Sequence, residues 1–157
     1  MEFAVIGFLR RLLSTTIALM LVSPASAETI ADTARQWGLI GPWSLDCSLP
    51  PDHARGAMLS YDIANGNRVM YRRDFGDAQD EAEVLSGTVS GDGALNLRVY
   101  FPSLKQTREY GMKRLDDGSI RSVYNRNEQN RYSIRDGKFT ANGKPTPAQH
   151  KCAERPE

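Results

Sequence analysis

The chain has 157 residues, 20 Lys/Arg against 19 Asp/Glu, and 40% hydrophobic residues. A net charge of +1 supplies no basic excess of the kind that holds nucleic acid, so nucleic acid is not an expected partner. The two cysteines and two histidines have spacings that fit no zinc or redox pattern, so neither a metal nor another cofactor is expected.

Residues 1–27 read as a secretory signal peptide. Arg10 and Arg11 make a positive start, and residues 12–22 are an eleven-residue apolar run broken only by Ser14, Thr15 and Thr16. Ser23-Pro24-Ala25-Ser26-Ala27 then ends in the small-x-small pattern of a cleavage site. The competing assignment, an uncleaved anchor, needs about 20 apolar residues. No cysteine stands at the cleavage site, so a lipid anchor is not expected. The mature chain, residues 28–157, is then a single domain, exported to the periplasm or the extracellular space and monomeric, without stable membrane insertion. Losing two Lys/Arg and one Asp/Glu with the leader leaves 18 charges of each sign. Leu, Ile, Val and Phe supply only 22 of the remaining 130 residues, but zero net charge removes the second condition for disorder. Tyrosine, methionine and tryptophan must complete the core.

Residues 29–38 predict a short helix. Thr29 caps it with Asp32 three residues on, Ile30, Ala34 and Trp37 share a face, and Gly38 stops it. Residues 43–49 predict a first strand, with Trp43, Leu45 and Cys47 on one face, ended by Pro50-Pro51. Ala57, Leu59, Tyr61 and Ile63 alternate with polar residues up to Asn65-Gly66, a two-residue hairpin signal of type I′. Val69, Tyr71 and Phe75 carry the apolar face onward, and Arg73 shares it. Residues 74–83 read as an acidic loop without the ordinary calcium pattern. A strand over residues 84–89 places Leu85 and Val89 on one face. Gly91-Asp92-Gly93 turns the chain into the alternating Leu95, Leu97, Val99 and Phe101. Residues 107–115 present Tyr110 and Met112, and Asp116-Asp117-Gly118 leads to Ile120, Ser122 and Tyr124. Tyr132 and Ile134 follow, then Asp136-Gly137 and Phe139, and the tail to Cys152 is irregular.

These eight or nine short strands predict an all-β fold, an antiparallel up-and-down meander with one N-terminal helix. Closing such a meander into a barrel removes its exposed edges; a two-sheet sandwich is the alternative. Cys47 and Cys152 are expected to pair in an oxidising compartment. That bond joins the first strand to the tail, as closure requires.

A helix leading into Gly41-Pro42-Trp43 at the start of the first strand, followed by a meander, resembles the lipocalin-like (calycin) barrels. The resemblance implies a fold marker, Gly41 and Trp43, with the tryptophan at the closed end of the barrel under a late-strand arginine, Arg131 or Arg135. The Trp43-x-x-Asp46-Cys47 opening is also similar to that of short uncharacterised exported bacterial proteins. The compact disulfide-tied layout is similar to that of small exported inhibitors of proteases and lysozyme.

No nucleophile elbow and no phosphate-binding glycine loop occurs in the sequence, so an enzyme is not expected. Arg73 breaks the alternation rule. With Tyr61 and Tyr71 it would supply a barrel interior with one cation and two hydroxyls, suited to a small anionic or amphiphilic ligand. The expected function is therefore non-catalytic binding of a small apolar or amphiphilic ligand. The alternative is inhibition of a secreted hydrolase through ordered loops such as 50–56 or 74–83. Charge is split along the chain, six positive and eleven negative over residues 28–100 against twelve and seven over residues 101–157. Cross-strand ion pairing accounts for this without a partner.

Overall fold

Ten strands form one sheet in the computed structural model, which describes residues 28–153; the expected signal segment, 1–27, lies outside the described residues. The chain opens with α1 (Ile30–Trp37). Thr29 and Asp32 form the reciprocal capping box, and Gly38 ends the helix at φ 79°. Eight residues cannot sustain a helix in water without packing. Ala31 and Ala34 are wholly buried, and the Trp37 indole donates to the Gly93 carbonyl at 3.0 Å. Ile30 reaches the sheet at Gly87, where any Cβ would collide with its side chain.

The strands are β1 (Gly41–Ser44), β2 (Met58–Ala64), β3 (Arg68–Asp74), β4 (Gln79–Val89) and β5 (Leu95–Phe101). They continue as β6 (Gln106–Arg114), β7 (Ile120–Asn127), β8 (Tyr132–Arg135), β9 (Lys138–Phe139) and β10 (His150–Lys151). Every pairing is antiparallel, and neighbours in sequence pair from β1 to β9. The meander is as expected; the count exceeds it by β10, a two-residue ladder in the tail expected to be irregular.

The tail links the two sides of the curled sheet. β10 pairs with β1 through Trp43–Lys151 and Ser44–His150, and the Cys152 N–H donates to the Pro42 carbonyl. One residue earlier, Gln149 and Ile120 exchange both backbone hydrogen bonds, at 2.8 and 2.9 Å, which attaches the tail to β7. The Cys47–Cys152 disulfide pins this segment. Inside the curl, Leu39, Trp43, Val69, Leu95, Val99 and Ile120 are at most 1% exposed.

Four local expectations are corrected. The first strand stops at Ser44 because the Ser44 hydroxyl and the Asp46 carboxylate capture backbone N–H groups at Asp46 and Ser48. Such side-chain capture competes with the ladder and leaves Cys47 exposed rather than on Trp43's face. The β2–β3 turn has three residues, Asn65–Asn67, with positive φ at Gly66 and Asn67. Residues 79–83 belong to β4 rather than to an acidic loop, and Asp80, Glu81 and Glu83 pair with Arg73, Arg72 and Arg68 of β3. A register shift between Val84 and Ser86 turns Leu85 outward, so Val84 is the buried residue. Val89, expected on Leu85's face, pairs with Leu95 and is 49% exposed at the strand's end.

Replacing both cysteines, Cys47→Ser with Cys152→Ser, is expected to lower stability by about 3 kcal/mol in urea unfolding. Amide exchange at Gln149 and Ile120 should rise far more than at Leu97, because the tail is what the bond restrains.

Candidate functional site

The end of the sheet away from α1 is formed by the turns at residues 75–78, 102–105 and 128–131. The three residues singled out from sequence, Tyr61, Tyr71 and Arg73, come together on the inner face near this end. Tyr61 and Tyr71 are directly opposed across β2 and β3, and their rings stack at 4.8 Å with a 13° tilt. Phe101 and Tyr110 meet Tyr71 edge-on at 6.0 and 6.1 Å. The Tyr61 hydroxyl lies 3.9 Å from the Met112 sulfur. Tyr61 and Tyr71 are 3% and 5% exposed. Burial raises both phenols above the usual tyrosine range.

Arg73 sits above this layer, about a quarter exposed like its partner Asp80. Its Nε donates to Asp80 Oδ1 at 2.8 Å, and its second arm reaches Oδ2. The guanidinium also lies over the Phe101 ring, 4.8 Å from its centre. The Asp80 hydrogen bond holds its pKa above the ordinary arginine value, against the opposing effect of burial. Arg73 is therefore a neutralised cation, which alternation alone did not disclose.

A second arginine, Arg108, was missed. It lies opposite Val99 in the register of β5 and β6, on the face of Tyr110 and Met112. Its Nε donates to Asn125 Oδ1 at 2.8 Å, one terminal nitrogen to Gln106 Oε1 at 3.1 Å, and the other to the Ser133 hydroxyl at 3.0 Å. Parity was the available signal: residues 106, 108, 110 and 112 share one face. Burial raises the Tyr110 phenol, while Arg73, Arg108 and a hydrogen bond with Asn125 oppose the rise. Both arginines thus act on one hydroxyl.

Beside this cluster, residues 50–56 fold against the β3–β4 turn. The His53 ring stacks on Phe75 at 4.9 Å, and its Nε2 lies 3.1 Å from Asp77 Oδ1. Phe75 follows the last residue of β3, and the Arg73 guanidinium lies 5.9 Å from its ring centre. The Pro51 carbonyl closes onto Gly76. Three clefts among the described residues have volumes of about 620, 430 and 230 Å³. The 430 Å³ cleft lies between residues 51–54 and 75–77, and Tyr61 and Tyr71 line none of the three. Among the described residues no group of three or more His, Cys, Asp or Glu side chains is placed to hold a metal ion.

The fold marker behaves differently from its sequence expectation. Trp43 is wholly buried, and its indole donates to the Leu39 carbonyl at 2.7 Å. The cation over its ring is Lys151 of β10, at 5.7 Å, rather than Arg131 or Arg135. Arg131 is exposed in the turn before β8, and Arg135 lies over Tyr132. Gly41, at φ 117°, brings the backbone against the Lys151 side chain. No family model, curated protein or solved structure matches this chain.

Two predictions follow from the packing of this layer. Because burial raises the Tyr61 and Tyr71 phenols, the stability they contribute is complete below about pH 10, the unfolded tyrosine value, and is lost as pH rises above it. Absorbance at the phenolate band should accordingly show these two tyrosines ionising only as the chain unfolds in alkali. Asp80→Asn removes the charge opposing Arg73 and should cost about 2 kcal/mol in urea unfolding. Adding Arg73→Leu should restore part of that loss, since no cation is then left unpaired.

Proposed function

We propose that this chain is an exported, non-catalytic binding module for a small amphiphilic ligand, working as a monomer in the periplasm or outside the cell. The observation that carries this reading is the convergence of Tyr61, Tyr71 and Arg73 with Phe101 and Tyr110 on one inner-face layer. Aromatic area there lies beside hydroxyls and guanidinium groups, the mixture an amphiphile needs. Since the Tyr61–Tyr71 stack is closed to solvent, the ligand rests on its outer side, against Tyr110 and the arginines. The buried phenols stay protonated at neutral pH and offer hydrogen bonds rather than a nucleophile. Export is supported by the leader-like residues 1–27 and by the Cys47–Cys152 bond, which persists in oxidising compartments. Among the described residues no helix is long and apolar enough to cross a membrane. The likeness of Gly41-Pro42-Trp43 to the lipocalin-like opening points toward ligand binding as well.

Native mass spectrometry of the protein taken from its own envelope fraction tests the reading. A small-molecule adduct released on denaturation is expected; bare protein that also fails to bind alkyl probes in titration would count decisively against it. A second reading, inhibition of a secreted hydrolase, is favoured by one observation. His53, Phe75 and Asp77 lock two loops into a single ordered projection, with Leu49 nearby in sequence and 44% exposed. Under that reading a lysozyme or protease loses activity in the presence of the protein, and His53→Ala relieves the inhibition.

A further inference from the structure

We infer that Arg108, rather than Arg73, selects the ligand, and that it selects a carboxylate head. This inference rests on the amphiphile-binding reading above and names the chemical class of the ligand. Its ground is the charge balance of the inner face near Tyr110. Arg73 and Asp80 cancel one another through a two-armed pair. Arg108 has no such partner: among the described residues it forms no ion pair, and its three side-chain partners, Asn125, Gln106 and Ser133, are all neutral. The local sum is one uncompensated positive charge.

Those neutral partners fix the guanidinium without discharging it. Of its five N–H donors, three are engaged, one on each nitrogen, and each terminal nitrogen keeps one free. Arginine's planar fork matches a carboxylate geometrically, and a braced fork loses little freedom on binding. Tyr110, two residues along the same face of β6, adds a hydroxyl to this layer. The apolar body of the ligand then runs along Tyr110, the half-buried member of the aromatic layer, since Tyr71 and Phe101 are only 5% and 1% exposed. A cationic head would meet Arg108 unfavourably. A neutral head would leave its charge without a counterion.

Titration calorimetry on the purified protein with decanoate, decanol and decyltrimethylammonium, which share one alkyl length, tests this. Decanoate should bind the native protein at least about tenfold more tightly than decanol, with decyltrimethylammonium weakest. Arg108→Gln should reduce decanoate affinity about 10- to 100-fold while leaving decanol nearly unchanged. Arg108→Lys should recover only part of the preference, having a point charge but no fork. Asn125→Ala, which removes a brace and keeps the charge, should retain decanoate over decanol; this separates recognition from a purely structural role. Should Arg108→Gln keep the native decanoate-to-decanol ratio, or the native protein bind both equally, the assignment of Arg108 is overturned while the amphiphile reading stands. If none of the probes binds the native protein, the amphiphile reading itself falls.

Discussion

A meander curled about its own core still has a first strand and a last strand, and the hydrogen bonds between them must come from somewhere. Here they come from four tail residues, residues 149–152, with the Cys152 N–H bonded to the Pro42 carbonyl. Gln149 takes the exposed backbone of Ile120, while His150 and Lys151 take that of β1. So short a ladder has little stability of its own, and the Cys47–Cys152 bond holds it in place. That bond restrains the unfolded chain as well, because it closes a loop with a sequence separation of 105. The same tail places Lys151 over Trp43 and against Gly41. The lid of the tryptophan and the seam of the sheet are therefore one structure.

The charges of β3 and β4 follow from strand pairing. The acidic residues at the start of β4 face arginines of β3: Arg68 meets Glu83 at 2.8 Å, Arg72 meets Glu81 at 3.1 Å, and Arg73 meets Asp80. Most of these side chains are exposed, and exposed pairs contribute little to stability. They do align β3 with β4, since a one-residue slip would carry every charge to the other face. The Arg73–Asp80 pair differs because it lies on the inner face, where an unpaired member would be costly.

Where the sequence had period and punctuation, it was legible. Thr29, Asp32 and Gly38 marked both ends of α1, and Leu95, Leu97, Val99 and Phe101 marked β5 and its buried face. What escaped depended on side chains competing with the backbone, or on register. Ser44 and Asp46 cut the first strand short through bonds that alternation does not register. The shift at Leu85 reversed its face, because one additional residue moves every later side chain across the sheet. Tyr61, Tyr71 and Arg73 were found because three inward positions on neighbouring strands must meet. Arg108 escapes that rule because it precedes Tyr110, the first apolar residue on the inner face of β6. Asp80 was hidden by the assignment of its segment to a loop.

The interior changes character along its length, and that gradient gives the far end its interest. Near α1 the space is filled by Leu39, Trp43, Leu95 and Ile120, all at most 1% exposed. One layer on come stacked tyrosines with buried hydroxyls, and beyond them two arginines, an aspartate and two amides. A core meant only for stability would gain nothing from the last layer, since bringing a guanidinium out of water is costly unless it is paired. Arg73 meets that requirement within the chain. Arg108 does not, and the neutral groups that hold it in place leave its charge available to something from outside.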